Sequence, residues 1–152
     1  MTTQSYKRDI IELIKRMGRE IGAGKLGKLF NSSDAADGKK AVGCNQFREI
    51  AADCRVAECY EEIELLIQYT QSKAEDKNDK KNEPAKSWKM ICENGKPFGE
   101  TVTDYMQEVR RLCGENAEWD TVREPMQLFF GYLYWQSRIW ADSNQTQNGT
   151  RR

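Results

Sequence analysis

Histidine is absent from the 152 residues. That removes the commonest general base and the commonest neutral metal ligand, so an enzyme is not the first expectation. Cysteine is scarce and oddly placed. Its five copies, Cys44, Cys54, Cys59, Cys92 and Cys113, cannot all pair, and no two form C-x-x-C. They read as small core residues of a reducing compartment rather than a disulfide frame or a zinc site. Net charge is also missing, with 24 basic and 24 acidic side chains, so overall charge argues for no partner. No signal peptide precedes residue 10. The expected location is cytoplasmic, and the sequons at Asn31, Asn144 and Asn148 are then accidents.

Long apolar runs are absent outside one stretch, Trp119 to Ala141, the most aromatic part of the chain. Its length would span a bilayer. Arg138 and Gln127 within it, its many aromatics and its polar flanks argue against a membrane. Helical periodicity leaves one narrow polar strip, Gln127, Gly131 and Arg138, with Tyr134 at its edge. Met126, Phe129, Phe130, Leu133 and Trp140 form one apolar stripe, and Leu128, Tyr132, Trp135 and Ile139 a second. A helix apolar over most of its circumference is expected to sit among other helices. Ser137 and Gln136 fall on the apolar side and need hydrogen-bond partners, for Ser137 the carbonyl one turn back. Pro125 should start or kink this helix.

The even charge total hides a local imbalance. Residues 1–48 carry 10 basic and 5 acidic side chains, net +5, whereas residues 49–70 carry 1 and 6, net −5. In the first of these, Ile10, Leu13, Ile14, Met17 and Ile21 repeat at helical spacing. The opposite face of that helix is basic. Arg8, Lys15 and Arg19 lie nearly in line, with Arg16 beside them and Glu12 and Glu20 as partial offsets. Such a row is a place for a polyanion or simply a solvated face.

Residues 22–29, GAGKLGKL, match G-x-x-x-x-G-K and G-x-G-x-x-G. A phosphate loop needs a preceding strand and a hydroxyl after its lysine, yet a helix precedes and Leu29 follows Lys28. A flexible glycine-rich turn is the expectation, continued by a loop over 31–43.

Asn45 is positioned to cap a helix burying Phe47, Ile50, Ala51 and Cys54, with Arg48 and Arg55 on one flank. The next helix, from about Glu58, turns Cys59, Ile63, Leu66, Ile67 and Thr70 inward and Glu61, Glu64 and Gln68 outward. Neighbouring glutamates along a helix do not converge on a metal. Residues 71–87 are almost wholly polar and read as a flexible linker. Trp88, Met90, Ile91 and Cys92 suggest a short helix docking back. Thr101 is expected to cap a helix with Val102, Tyr105, Met106, Val109, Leu112 and Cys113 inward, ended by Gly114. Arg110 and Arg111 there suit the helix dipole. The tail from Ser143 reads as disordered. The fold class is thus all-α, a bundle of five to six helices in one domain over 1–142, because neither side of the linker closes a core alone.

Three segments carry a resemblance. CNQFREI at 44–50 looks like the Gln-Leu-Arg-x-Phe helix start of the small subunit of type III-A CRISPR effector complexes. LLIQYTQSK at 65–73 is similar to that family's leucine-rich stretch ending in a basic residue. MQLFFGYLYW at 126–135 resembles its C-terminal Phe-Phe-Glu-Ala-x-x-Ala-Tyr helix. They occur in the family's order and fall within 44–73 and 119–141. Gly131 stands where the family has glutamate, and the family's usual histidine is missing after Tyr134. The resemblance implies a non-catalytic helical subunit without cofactor or metal. It would stack in several copies along a ribonucleoprotein filament beside backbone and large subunits, supporting the duplex of guide RNA and target RNA. Arg48 matches the family motif and Lys73 a basic position of it, whereas Arg55, Arg8, Lys15, Arg16 and Arg19 come from helical geometry alone. A duplex held through its phosphates calls for such side chains on fixed helices.

Two other classes remain. A helical protein-protein adaptor, or a phage-encoded inhibitor, would be indifferent to Arg48→Glu. A nucleotide-binding enzyme built on Gly22 to Lys28 would lose its ligand on Lys28→Ala.

Overall fold

The computed structural model describes residues 3–30, 44–72 and 88–150. Six helices account for most of them: α1 (Thr3–Ile21), α2 (Ala23–Phe30), α3 (Cys44–Val56), α4 (Tyr60–Ser72), α5 (Phe98–Leu112) and α6 (Trp119–Thr150). No strand occurs among the described residues, only a single bridge between Ile91 and Pro97. The protein is an all-α bundle.

α6 is the axis of the bundle. α3 packs along it most extensively, and α1, α2 and α5 close its other buried sides. Met126, Phe129, Phe130 and Leu133 are fully buried, with Trp140 packed at their edge, so the first apolar stripe faces the core. Ser137 is buried too and donates to the Tyr134 carbonyl at 2.8 Å. Pro125 lies inside the helix, two turns from its start. The backbone stays helical to Thr150, past Ala141, so it includes 143–150 where a disordered tail was expected.

An aromatic cluster joins the two sides of the polar segment. Phe30 stacks on Trp140 with centroids 5.5 Å apart and meets Phe98 edge-on at 5.7 Å. Trp88 lies 5.1 Å from Phe98 and 5.9 Å from Phe47. Buried Trp88 donates its indole N–H to Gln46 at 2.9 Å, satisfying its one polar group. Rings from α2, α3, α5 and α6 therefore share one core.

Two helix ends are closed by distant parts of the chain. The last carbonyls of a helix have no intrahelical donor. At the end of α1, Ile21 and Glu20 accept from the backbone amides of Glu93 and Asn94, both at 3.1 Å. Gly22, with φ +99°, makes the turn that allows this approach, and a Cβ there would collide with the Glu93 side chain. The end of α3 is closed by α6, as described below.

Several expectations are corrected. Residues 23–30 form a helix rather than a glycine-rich turn, because Leu26 and Phe30 pack into the core and outweigh the low helix propensity of glycine. Thr101 is not a cap. α5 begins at Phe98, and Thr101 is fully buried inside it, donating to the Pro97 carbonyl and accepting from Asn94. Trp88 and Cys92 dock into the core as expected, but residues 89–97 do so as a turn with the Ile91–Pro97 bridge rather than as a helix. Cys59 precedes α4 and is exposed. The second stripe of α6 is the largest departure. Leu128 and Tyr132 are half-buried, while Trp135 and Ile139 are 63% and 55% exposed, because no helix among the described residues covers that side. Of the loops expected at 31–43 and 71–87, Gln71 and Ser72 instead complete α4, and the rest lie outside the described residues.

Candidate nucleic-acid interface

The basic side chains of α1 divide into exposed and engaged ones. Arg8 and Arg19 are exposed and form no ion pair with another described residue. Lys15 is exposed and 3.9 Å from Glu12, a surface pair of little energetic weight. Arg16 points elsewhere. Its Nε donates to the Tyr105 hydroxyl at 3.2 Å, its guanidinium lies 5.2 Å from that ring's centroid, and Nη2 is 3.6 Å from Glu108. The Tyr105 hydroxyl in turn donates to Glu20. Arg16 thus ties α1 to α5, although half of its side chain remains in solvent.

On α3, Arg48 and Arg55 are both exposed, and Arg48 lies over the Tyr134 ring of α6 at 5.7 Å. A cation over an aromatic face is partly immobilised without losing its charge. Arg138, one turn past Tyr134, is exposed beside it. Lys73 lies outside the described residues.

The two basic sets do not merge. α3 contacts α6 where Arg48 meets Tyr134, whereas α1 approaches α6 at Trp140, on which Gly18 closes tightly. Six residues along a helix turn the direction by about 120°. Arg48 and Arg55 therefore occupy one flank of α6, and Arg8, Lys15 and Arg19 another.

One arginine was missed from the sequence. Arg123 of α6 directs Nη1 at three carbonyls that end α3, Cys54 at 2.8 Å, Arg55 at 2.9 Å and Ala57 at 2.7 Å. It lies over Trp119 at 5.3 Å, and the Trp119 indole N–H donates to the same Ala57 carbonyl at 2.8 Å. A cation suits this negative helix end. The cap fixes α3 antiparallel to α6 and so sets where Arg48 and Arg55 stand. Nothing local in the sequence marks the pairing, which spans 66 residues to Ala57.

Three of the thiols are chemically quiet. Burial, reinforced by Asp53, pushes Cys54 up to about 12, and burial also raises Cys92 and Cys113. A thiolate nucleophile is disfavoured at all three. No group of three cysteine, aspartate or glutamate side chains among the described residues could hold a metal ion. The phosphate-loop reading loses its geometry, since Gly24 to Lys28 lie on α2 and Lys25 donates to the Ile91 carbonyl at 2.6 Å. An open cleft of about 390 Å³ between α4 and α6 is lined by Glu61, Glu115 and Glu118 with Arg110, an unsuitable wall for phosphates. Among the described residues, no helix is long and apolar enough to cross a membrane.

Comparison with protein-family models, curated proteins and solved structures found no match for this chain.

Proposed function

We propose that the protein is a non-catalytic small subunit of a type III CRISPR RNA-guided effector complex. In this reading it stacks in several copies beside backbone and large subunits in the cytoplasm. It supports the duplex of guide RNA and target RNA through basic helix faces. The observation that carries the reading is Arg48. It lies in the segment with the most direct resemblance to that family, and it is exposed on a helix held in place at its far end. Arg55 two turns on gives the same flank a second cation, with a spacing of about 10 Å along the axis. A backbone contact of this kind needs fixed cations and no base-reading pocket. Arg8, Lys15 and Arg19 would serve a second contact, with Arg16 holding the α1 frame.

The test is charge reversal. In complexes purified from the native host, Arg48→Glu with Arg55→Glu should lower retained RNA about tenfold or more and weaken its salt dependence. Retention unchanged by both substitutions would contradict the reading. The exposed apolar side of α6 favours a second reading, a helical protein-protein adaptor or phage-encoded inhibitor, for which the same substitutions change nothing.

A further inference from the structure

Gly131 opens a notch on the exposed side of α6. A Cβ added there would meet no atom of another described residue within 4 Å beyond the helix's own backbone, and α6 runs unbroken through the position. Glycine in mid-helix costs stability, and no close packing accounts for it here.

Aromatic rings flank the notch. By the helical step, Trp135 and Tyr132 stand to one side of Gly131 and Tyr134 to the other, with Arg138 two turns on and nearly in line. The Tyr132 and Trp135 rings are 5.5 Å apart, and Trp135 is more than half exposed. Across the notch the Arg48 guanidinium lies over the Tyr134 ring at 5.7 Å, and Arg138 is exposed.

The apolar part of this face is short. Leu128 and Tyr132 are half-buried, so Trp135 and Ile139 alone in the stripe project by more than half. A docked helix uses anchors spread over at least two turns, whereas a nucleobase needs one exposed ring. Charge points the same way. Both charged side chains at the notch, Arg48 and Arg138, are cations, while Glu124 stands seven residues before Gly131, about 10 Å down the axis. Exposed rings beside guanidiniums form a platform for unpaired nucleotides, the ring taking the base and the cations its phosphate.

From this geometry we infer that the Gly131 notch seats one unpaired nucleobase of single-stranded RNA, stacked against Trp135, with its phosphate at Arg48 and Arg138. The inference rests on the RNA reading of Arg48 and deepens it, because the arginine that meets duplex phosphates also borders a seat for a nucleotide outside the pairing. A base inside a continuous duplex has both faces covered by its neighbours, so the seat selects against it. Every base has a π-face, so the seat tolerates any sequence.

Fluorescence anisotropy of the full chain at low salt tests it, with a labelled short oligoadenylate and a labelled RNA duplex of equal length as the two probes. Trp135→Ala and Gly131→Gln, each checked for unchanged helix content, should weaken binding of the oligoadenylate about tenfold and leave the duplex unaffected. Trp135→Phe should keep most of the affinity, because a ring remains. Arg48→Glu should weaken both probes. Unchanged oligoadenylate affinity in Trp135→Ala and Gly131→Gln, with duplex binding still dependent on Arg48, would overturn the seat and leave the RNA reading standing. Equal losses on both probes would overturn it too, since the notch would then not distinguish the strands. A wild type that binds neither probe would overturn the inference together with the RNA reading. Loss of a copurifying protein in Trp135→Ala with oligoadenylate affinity intact would overturn the inference alone, assigning the face to a protein partner.

Discussion

Arg123 closes the carboxyl end of α3 through Ala57, whose carbonyl accepts from Nη1 at 2.7 Å while Trp119 donates to the same oxygen at 2.8 Å. One guanidinium thereby anchors the helix that carries Arg48 and Arg55. Arg123→Ala should cost about 2–3 kcal/mol in urea unfolding, the scale of losing hydrogen bonds to a charged donor and leaving carbonyls unmet. Arg123→Lys should restore only part, because an ammonium is a point donor that does not lie flat on Trp119.

The link between α1 and α5 depends on one hydroxyl. Tyr105 accepts from Arg16 and donates to Glu20 while its ring is buried. Tyr105→Phe should destabilise by about 1–2 kcal/mol. Arg16→Ala and the double variant complete a cycle, and a coupling near zero would show that the two side chains act independently.

Two glycines should respond in opposite senses. Gly22→Ala forces a Cβ at φ +99° against Glu93 and should lower stability by about 1–2 kcal/mol. Gly131→Ala, inside α6, places its Cβ in open space and should raise stability by about 0.5–1 kcal/mol. Thermal unfolding of both variants reads the difference directly.

Cys54 sets a dependence on alkaline pH. Its folded value, about 12, is raised above the ordinary 9.0, so the thiol stays protonated in the fold after the unfolded chain has ionised. The stabilising contribution is complete below pH 9 and is lost as pH rises towards 12. Urea titrations across that window should show falling stability, with a shallower fall in Cys54→Ala. An equal slope in the variant would assign the effect to other groups.

What the sequence made legible was the side of each helix that faces a neighbour. Val102, Tyr105, Met106 and Val109 repeat on one face and are buried together, and Phe129, Phe130 and Leu133 do the same on α6. The exposed second stripe was misjudged because periodicity reports how greasy a side is, not whether another helix remains to cover it. Thr101 has the spacing of a capping residue, with Asp104 three positions on, yet Phe98 and Gly99 had already entered the core and begun the helix. Arg16 and Arg123 were unreadable as anchors, since their partners lie on other helices and no local pattern couples them. Among the basic candidates, helical geometry placed Arg8, Lys15, Arg19, Arg48 and Arg55 on exposed surfaces but could not tell that α1 and α3 flank different sides of α6.

The most direct measurement is to purify the tagged protein gently from its native host and sequence the RNA that accompanies it. The expected result is a population of short RNAs of uniform length sharing one repeat-derived end, held with several copies of this chain. Protein partners recovered without such RNA would contradict the role in an RNA-guided complex and leave the exposed α6 face as the basis for a protein-binding function.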